Sequence, residues 1–527
     1  MAKGYFALVL HAHLPFVRHP EDRTVMEESW LYEAITGTYL PLLQVFEGLV
    51  ADQIPFRLTV SLSAPLIAML TDDLLKERYA EHLDDLITLA GKELERTRPE
   101  PQYHRLAQMY WDRFHGLRHT WRCHEGDLVR AFRRLQEAGR IEVITSTATH
   151  AFFPMMDRNW AALRAQVHTA ADLYERHFGQ RPRGMWLGEC GYVPGCDELL
   201  REAAVRYFLA DAHALLFADR QPIHGVYAPV YCPAGVAAFG RDTESSQQVW
   251  SAKEGYPGDP LYRDFYRDIG FDLPIEYIRP HIHPKGIRTY TGIKYHAITH
   301  AMLHDKWVYD PDAARGRAGL HASHFRGNRE KQVTALAAGM DRPPIIVSPY
   351  DAELFGHWWF EGPLFLNDFF RQLHFDQSVI ETLTPGDYLD RHPTNQVATP
   401  CLSSWGAKGY GEHWCNETNA WIYRHVHIAG ERMVELARRN PAATGLERRG
   451  LNQAARELLL AQSSDWAFIM TTGTTVPYAT RRFNEHIVRF TRLYEDLKSE
   501  RLDETFVAAL ESTDNLFQHV DYRIYAT

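Results

Sequence analysis

The chain has 527 residues, of which 45% are hydrophobic and 24% are charged, and its formal net charge is −10. This composition is typical of a globular protein long enough for two or three domains, one of them large. The modest negative charge argues against general nucleic-acid binding, which requires a clustered basic surface.

The N-terminal stretch and the cysteines predict a cytoplasmic location. The apolar run from Tyr5 to Leu10 is short and continues into histidines, so it makes a poor signal peptide. The sequence has no run of about 18 apolar residues to span a bilayer, so we expect no membrane partner. The six cysteines show no C-x-x-C pair and no zinc-ligand spacing. We therefore expect free thiols, with a bridge between Cys190 and Cys196 as the alternative.

Short apolar, β-branched runs alternate with amphipathic stretches such as 127–138 and 161–178. This alternation predicts parallel βαβ units. Seven strands spread over about 350 residues favour an incomplete (β/α)7 barrel, an α/β fold, over the alternative of an open doubly wound sheet. The seven predicted strands are 6–10, 56–62, 141–146, 184–187, 205–210, 236–239 and 344–348.

Two interruptions and one change of pattern predict the domain organisation. Residues 65–135 are helical by pattern and too long for one crossover, which predicts a helical insertion. Residues 250–335 are dense in aromatic and turn residues and predict an insertion over the barrel mouth. Both would belong to a catalytic barrel of residues 1–380. From residue 381 to 527 the apolar period is near 3.6, which predicts a helical C-terminal domain.

A polar residue follows each predicted strand, and the carboxyl ends of barrel strands form one face on which active sites lie. We therefore expect these side chains to converge on one pocket. They are His11, His13, Ser61, Ser63, Thr149, His150, Glu189, Asp211, His213, Arg241, Asp242 and Asp351.

His11 and His13 are two residues apart at a strand end, so both imidazoles can point to one site. As metal ligands they would need further ligands, and Asp211, His213 or Asp242 could serve. As sugar ligands they would bind hydroxyl groups and adjust nearby carboxylates. Ordinary buried histidines are the third interpretation.

Two carboxylates on different strands predict glycoside chemistry. Glu189 lies between an apolar strand and the glycine-containing loop CGYVPG, although a structural ion pair is its alternative. Asp351 ends another strand, and Glu353 is its near neighbour. One carboxylate can attack an oxocarbenium-like centre while the other protonates the departing oxygen. An aromatic wall that could stack on a pyranose follows them, formed by Phe355, His357, Trp358 and Trp359.

Five segments together resemble the motif regions of glycoside hydrolase family 57, in particular its 1,4-α-glucan branching enzyme group. The segments are HAHLP (11–15), TSTATH (145–150), WLGECGY (186–192), SPYDAELFGHWW (348–359) and SSDW (463–466). The resemblance implies a (β/α)7 barrel with a helical insertion and a helical C-terminal domain. It also implies retention of the α-configuration by double displacement, an amylose-like or glycogen-like α-glucan as substrate, and no metal or other cofactor.

By position in these motifs, the resemblance implies that Glu189 is the nucleophile and Asp351 the general acid/base. It also implies substrate-binding positions at His13, His150, Trp405, Trp414, Asp465 and Trp466. With the residues at strand ends, in the aromatic wall and at the start of the second insertion, the expected substrate-binding set is His11, His13, His150, Asp211, His213, Arg241, Trp250, His357, Trp358, Trp359, Trp405, Trp414, Asp465 and Trp466.

Two departures from the family pattern affect the expected reaction. Gly188 precedes the nucleophile where the family commonly has proline. Branching enzymes of the family are similar in carrying a mobile loop whose tyrosine shields the intermediate from water. The matching stretch here, 215–231, is shorter, and His224 and Tyr227 are its candidates for that role.

The leading functional hypothesis is a branching transglycosylase. The alternatives are a 4-α-glucanotransferase or α-glucan hydrolase of the same family, a metal-dependent deacetylase-like barrel enzyme, and an inactive glucan-binding protein.

Overall fold

The computed structural model of the chain describes residues 2–251, 255–299 and 305–526. Its centre is one curled sheet in which seven parallel strands lie in the order β7, β5, β4, β3, β2, β1, β8. Two short strands complete the sheet. The strands are β1 (Gly4–Ala12), β2 (Leu58–Leu62), β3 (Ile141–Ser146), β4 (Gly184–Trp186), β5 (Tyr207–Ala210), β6 (Val230–Tyr231), β7 (Ala237–Gly240), β8 (Ile345–Asp351) and β9 (Ile380–Thr382).

The two end strands of the parallel set meet. The backbone N–H of Asp242, just after β7, donates to the carbonyl of Val347 in β8 at 2.8 Å. The sheet therefore curls round on itself, and the prediction of an incomplete (β/α)7 barrel is confirmed, whereas the open doubly wound alternative is wrong. The sequence pattern missed β6 and β9, which have two and three residues, too few to show a period.

Alternation along the strands separates two cores. Ala7 and Val9 belong to a small cluster inside the barrel, whereas Phe6 faces the surrounding helices, where its ring lies 5.7 Å from that of Phe325. Because strand side chains alternate with a period of two, His11 continues the inward series of β1. By the same parity Asp351 continues the inward series that begins at Ile345 and Val347 in β8. The barrel therefore directs both side chains toward its carboxyl-end mouth.

Within the described residues, twenty α-helices surround the sheet and form the C-terminal part. Side chains at the preceding residue cap several of them, including Asp72, Asp127 and Asn159. They are α1 (Ser29–Ala34), α2 (Leu40–Ala51), α3 (Ala64–Thr71), α4 (Asp73–Thr97), α5 (Pro101–Cys123), α6 (Leu128–Glu137), α7 (Trp160–Phe178), α8 (Cys196–Glu202), α9 (Ala212–Leu216), α10 (Thr243–Trp250), α11 (Ile269–Asp272), α12 (Ile275–Ile278), α13 (Pro311–Gly339), α14 (Gly362–Phe375), α15 (Pro385–Arg391), α16 (Trp421–Arg439), α17 (Gly445–Ala461), α18 (Ser464–Thr472), α19 (Val476–Lys498) and α20 (Glu504–Thr513).

A π-helical turn, Ile35–Tyr39, joins α1 to α2. The whole helical stretch Met26–Ala51 has the length and mean hydropathy of a helix that could cross a membrane. Its apolar side chains, among them Leu40, Leu43 and Phe46, are buried in the barrel wall, as in the core helix of a globular protein. The π turn is relevant to the site because such turns are frequent where function requires an unusual side-chain direction.

The ranges predicted as insertions contain well-formed elements. Helices α3 to α6 occupy 65–135, and α4 packs along α5. Of the range 250–335, residues 252–254 and 300–304 lie outside the described residues. The range ends inside α13, and this helix packs on α14 and β1. The domain limits themselves stay predictions.

The C-terminal helices contact the barrel mouth through short bridges. Ala151, after β3, pairs with Ser463, just before α18, and Tyr192, after β4, pairs with Ser403. These two bridges bring residues from far along the chain next to the carboxyl ends of the central strands.

Candidate active site

The loop after β4 presents Glu189 in a strained backbone conformation. Glu189 and Cys190 have φ angles of 60° and 50°, a region that costs a non-glycine residue about 1–2 kcal/mol. The carbonyl of Glu189 accepts from the N–H of Trp405 at 3.0 Å. The surrounding structure therefore holds the loop in a shape that it would not adopt alone, and strain of this kind is frequent at active sites.

Gly188 is required by the close approach of the loop after β3. A Cβ atom at this position would lie 2.5 Å from the carbonyl oxygen of Ala151 and 2.7 Å from that of His150. This contact gives a physical reason for glycine where the family commonly has proline.

Both carboxylate oxygens of Glu189 have a protein donor. The indole Nε1 of Trp405 donates to Oε2 at 2.9 Å, and the hydroxyl of Ser464 donates to Oε1 at 3.0 Å. His150 Nδ1 lies 3.6 Å from the same Oε1. The carboxylate is thus held in one orientation, although burial, with a further contribution from the charge of Asp465, raises its pKa to about 7.

Asp351 ends β8, where it pairs in register with His11 of β1. It is the one exposed residue of this strand, and the carboxylates of Glu353 and Glu189 act on it by charge. Loss of hydration and the negative charges of Glu353 and Glu189 raise the pKa of Asp351 to about 8. This carboxyl group is therefore the one that keeps its proton near neutral pH, which suits a general acid.

Glu353 is a third carboxyl group beside the pair, and its neighbourhood to Asp351 in the sequence predicts no particular role for it. The hydroxyl of Tyr39, at the end of the π turn, donates to Glu353 Oε1. Burial raises the pKa of Glu353 to about 7, and His13 is among the groups that partly offset the shift. The sequence signal for Glu353 was its position two residues after Asp351, because the short helical turn between Ala352 and Leu354 keeps the two carboxyl groups near each other.

We expect a narrow bell-shaped pH dependence of kcat/KM. Activity should fall as pH drops below about 7, because Glu189 is then protonated, and as pH rises above about 8, because Asp351 then loses its proton. Glu353→Gln removes a charge that raises the pKa of Asp351, so it should move the alkaline limb to lower pH. An alkaline limb that stays in place in this variant would contradict the assignment; the measurement is initial rate against pH with a soluble maltooligosaccharide.

The histidines form a hydrogen-bonded group under the carboxylates. His11 Nδ1 lies 2.9 Å from the Ser61 hydroxyl, and His11 Nε2 lies 2.9 Å from His150 Nε2. His150 Nδ1 contacts the Ser464 hydroxyl at 2.9 Å. Burial lowers the pKa of His11 and His150 well below the usual value, so both are neutral. All four of their ring nitrogens have protein partners, and substrate binding by these two residues stays a prediction.

His13 differs from its neighbours because it faces Asp465. Its Nε2 lies 3.0 Å from Asp465 Oδ2, and its Nδ1 lies 2.9 Å from the Ser63 hydroxyl. Burial alone would lower the pKa of His13, but Asp465 reverses the effect and raises it. Burial alone would raise the pKa of Asp465, and His13 lowers it instead. The C-terminal part thus contributes a buried ion pair to the mouth of the barrel.

The proposed extra metal ligands do not converge on His11 and His13. Asp211 forms an ion pair with Arg241 and contacts His213 Nδ1 at 3.0 Å. Asp242 forms an ion pair with Arg329 at 3.1 Å. Among the described residues, three ligand groups come close enough for one ion only at Glu457, His486 and Asp514 in the C-terminal helices, where Arg489 is already paired with Asp514 at 2.6 Å. The metal-dependent alternative therefore has no supporting geometry at the barrel mouth.

Comparison with known proteins identifies the family. Residues 7–313 match the family model described as glycosyl hydrolase family 57, and residues 425–525 match that described as 1,4-alpha-glucan branching enzyme, C-terminal. A 1,4-alpha-glucan branching enzyme of Thermococcus kodakarensis is 34% identical over 98% of this chain and 78% of that protein. The chain belongs to glycoside hydrolase family 57.

Solved structures of this family agree with the whole fold. The alpha-amylase AmyC of Thermotoga maritima has a TM-score of 0.94 and 46% identity, covering 99% of each chain. A family 57 branching enzyme of Pyrococcus horikoshii has a TM-score of 0.89 and 31% identity, covering 100% of this chain and 97% of its own. Members with two differently named activities thus share this fold.

Three of the tryptophans expected to bind the glucan are buried. Trp359, Trp414 and Trp466 are 1%, 1% and 0% exposed, so a pyranose cannot stack on them, and their assignment is corrected to packing. Trp414 stacks on Phe152 at 4.6 Å between ring centroids, and the Trp466 indole donates to the Leu460 carbonyl at 2.8 Å.

Two other tryptophans are exposed, and a third contacts Glu189. Trp358 is 54% exposed and stacks on Phe265 at 4.5 Å, and Trp250 is exposed at the end of α10. Trp405 holds Glu189. His357 lies edge-on to Trp358, and burial lowers its pKa to about 3. As glucan contacts, these residues together with Asp211, His213 and Arg241 stay predictions.

The loop 215–231 does not reach the catalytic pair with its two candidate residues. His224 pairs with Asp341 at 3.0 Å, and the carbonyl of Tyr227 accepts from the N–H of Ile345 at 2.9 Å. Ile345 begins β8 and Asp351 ends it, which places them about 20 Å apart at roughly 3.3 Å per residue. The expectation that His224 and Tyr227 cover the intermediate in this family 57 chain is therefore wrong.

Proposed function

We propose that this chain cleaves α-1,4-glucans by double displacement, with Glu189 as nucleophile and Asp351 as general acid/base. The observation that supports these roles is the contrast between the two carboxyl groups. Glu189 has a donor on each oxygen, whereas the Asp351 carboxyl makes no hydrogen bond to the part of the chain that the structure describes. A nucleophile needs a fixed line of attack, and an acid/base must reach first the leaving oxygen and then the acceptor.

In the first step Asp351 gives its proton to the glycosidic oxygen while a Glu189 oxygen bonds to the anomeric carbon. In the second step Asp351, now ionised, takes a proton from the acceptor hydroxyl, which displaces Glu189. Two inversions restore the α-configuration. The order of the two pKa values, about 7 for Glu189 and about 8 for Asp351, is the one this sequence of proton transfers requires.

For the acceptor we propose the 6-hydroxyl of a second glucan chain, which makes the protein a 1,4-α-glucan branching enzyme. The match of residues 425–525 to the branching enzyme C-terminal model and the named relatives support this. All six cysteines are free, which supports action on glycogen-like glucan in the reducing cytoplasm.

Hydrolysis is the second candidate, and one structural observation favours it. His224 and Tyr227 lie at the amino end of β8, so neither can exclude water from Glu189. The 46% identical structure from Thermotoga maritima is named an alpha-amylase. Transfer exceeds hydrolysis only where the site positions the acceptor and excludes water.

Incubation with amylose separates the two candidates when new α-1,6 linkages and new reducing ends are counted together. A branching enzyme should form α-1,6 linkages with few new reducing ends, and a hydrolase the reverse. Tyr227→Ala should leave the ratio of α-1,6 linkages to reducing ends unchanged, because Tyr227 lies at the amino end of β8, away from Glu189.

Tyr410→Ala is the matched comparison. Tyr410 is exposed, lies edge-on to His213 and follows Trp405 on the same segment, so its loss should increase the share of reducing ends. If the ratio of α-1,6 linkages to reducing ends changed in Tyr227→Ala and not in Tyr410→Ala, Tyr410 would not be the residue that keeps water from the intermediate.

A further inference from the structure

A cavity of about 290 Å³ lies beside the loop that follows Asp351. The π turn, α4, α5 and residues 263–294 form its walls, and none of Glu189, Asp351 and Glu353 lines it. It is separated from the catalytic site by the contact of Gly37 with His357, where a Cβ on the glycine would lie 3.1 Å from the His357 Cα. The cavity thus adjoins the site, and His357, a predicted glucan contact, lies in the wall between them.

Three cations line this cavity without a carboxylate partner. Arg113, Arg263 and Lys294 form no ion pair within the described part of the chain; their hydrogen bonds go to neutral oxygens of Thr36, Tyr110, Gly292 and Phe265. Arg263 and Lys294 are only 9% and 4% exposed. The Nε of Arg263 is buried and has no partner among those residues. Buried charges in proteins are normally paired. Here Glu33, Asp264 and Asp268 act on Lys294, and Glu361 acts on Arg263, only from beyond ion-pair distance.

The carboxylates near the cavity are already engaged or favour the neutral form. Glu28 pairs with Arg78, and Asp85 with His281. Asp264 pairs with Lys306, and Asp268 accepts from the backbone of residues 270, 291 and 292. Burial raises the pKa of Glu33 to about 7. Burial also raises the pKa of Glu361, whose Oε1 accepts from the backbone N–H of Arg263 at 3.0 Å and from the Tyr309 hydroxyl at 2.7 Å.

The cations also repel one another. Burial and the charge of Arg263 lower the pKa of Lys294 to about 8 and that of Arg113 to about 10. An anion in the cavity would reduce this repulsion.

Aromatic rings hold the three cations in place. The guanidinium groups of Arg113 and Arg263 lie 4.7 and 4.0 Å from the ring centroid of Phe360. The Lys294 ammonium lies 4.3 Å from the ring of Phe265 and 4.4 Å from that of Tyr290. Cation–π contacts stabilise each charge without neutralising it, so the positive groups are positioned before an anion arrives.

We propose that this cavity binds a small organic phosphomonoester, of about the size of a hexose phosphate, whose phosphate group contacts Arg113, Arg263 and Lys294. A phosphate dianion offers three oxygens, which matches three cationic donors better than a single carboxylate does. The volume is near the lower limit of about 300 Å³ for ligand pockets, which favours a small ligand. Ser29 and Glu33, which also line the cavity, can bind its hydroxyl groups.

Calorimetric titration of the full chain with glucose 6-phosphate, inorganic phosphate and glucose tests the proposal. Glucose 6-phosphate should bind with 1:1 stoichiometry and more tightly than either of the other two. Arg113→Gln and Lys294→Gln should each weaken its binding about tenfold or more, because each removes a charge-assisted hydrogen bond. Arg105→Gln, an exposed arginine paired with Asp312, is the matched control and should bind as the wild type does.

Glu33→Gln keeps the cations and removes a carboxylate, so it should bind glucose 6-phosphate at least as tightly as the wild type even if the cation variants fold poorly. Absence of saturable binding, equal affinity for glucose, or equal affinity for inorganic phosphate would each overturn the proposal. So would unchanged affinity in folded Arg113→Gln and Lys294→Gln, or displacement of glucose 6-phosphate by maltooligosaccharide on the Glu189→Gln protein.

Discussion

Glu189→Gln should lower kcat on amylose by at least about 10³-fold, because the amide cannot form the glycosyl-enzyme bond. Asp351→Asn should lower it by about 10²–10⁴-fold, because the amide cannot transfer the proton. Both substitutions keep side-chain volume, so Tm should change little. Rates come from reducing ends and α-1,6 linkages together, since either product reports the first step.

A substrate with an activated leaving group distinguishes the two roles. Dinitrophenolate leaves a dinitrophenyl maltooligosaccharide without needing a proton. Asp351→Asn should therefore recover much of the rate of the first step on this substrate, and Glu189→Gln should not. Glu381→Gln and Asp341→Asn, at exposed carboxylates remote from the mouth, should behave as the wild type. Equal rescue of both catalytic variants would mean that the roles are wrongly assigned.

Gly188→Ala should lower kcat about 10²-fold while the barrel still folds. The new Cβ would meet two carbonyl oxygens at 2.5 and 2.7 Å, so the Glu189 loop must move away from the loop after β3. A shift of the order of 1 Å at a reacting group costs about that factor. The two residues after it already have positive φ, and this leaves the loop few other conformations.

Gly316→Ala is the control for the glycine substitution. Gly316 is exposed in α13, and no atom would lie within 4 Å of its new Cβ. Alanine favours a helix over glycine by about 1 kcal/mol, so Tm should rise slightly with activity unchanged. Wild-type activity in Gly188→Ala would show that the two loops can separate freely.

The barrel, and the position of the candidate catalytic side chains at its mouth, could be predicted because their signals are local. β-Branched runs mark the strands, and a polar residue at a strand's end must lie at the common mouth of a parallel barrel. The inward parity of Asp351 follows from the period of two in β8. Ser464 and Asp465 were different, since only their resemblance to a family motif connected them with Glu189 and His13.

Burial and long-range placement could not be predicted from the same patterns. Trp359 and Trp358 are adjacent, yet one is buried and the other exposed, because the direction of a side chain in an irregular turn depends on what packs against it. The position of Tyr227 depends on a backbone hydrogen bond to Ile345, more than a hundred residues away. Arg113, Arg263 and Lys294 are also scattered along the chain, and only the folded chain shows that they line one cavity.

The hydrogen bond from Ser464 to Glu189 joins residues 275 positions apart, and this separation has a consequence during translation. At about 5–20 residues per second, the ribosome adds Ser464 roughly 14 to 55 s after Glu189. Throughout that interval a nascent chain can form barrel strands, but its nucleophile has neither the serine donor nor the Asp465 that pairs with His13. Activity should therefore begin only when α18 docks, and chains released early should be inert toward the glucan around them.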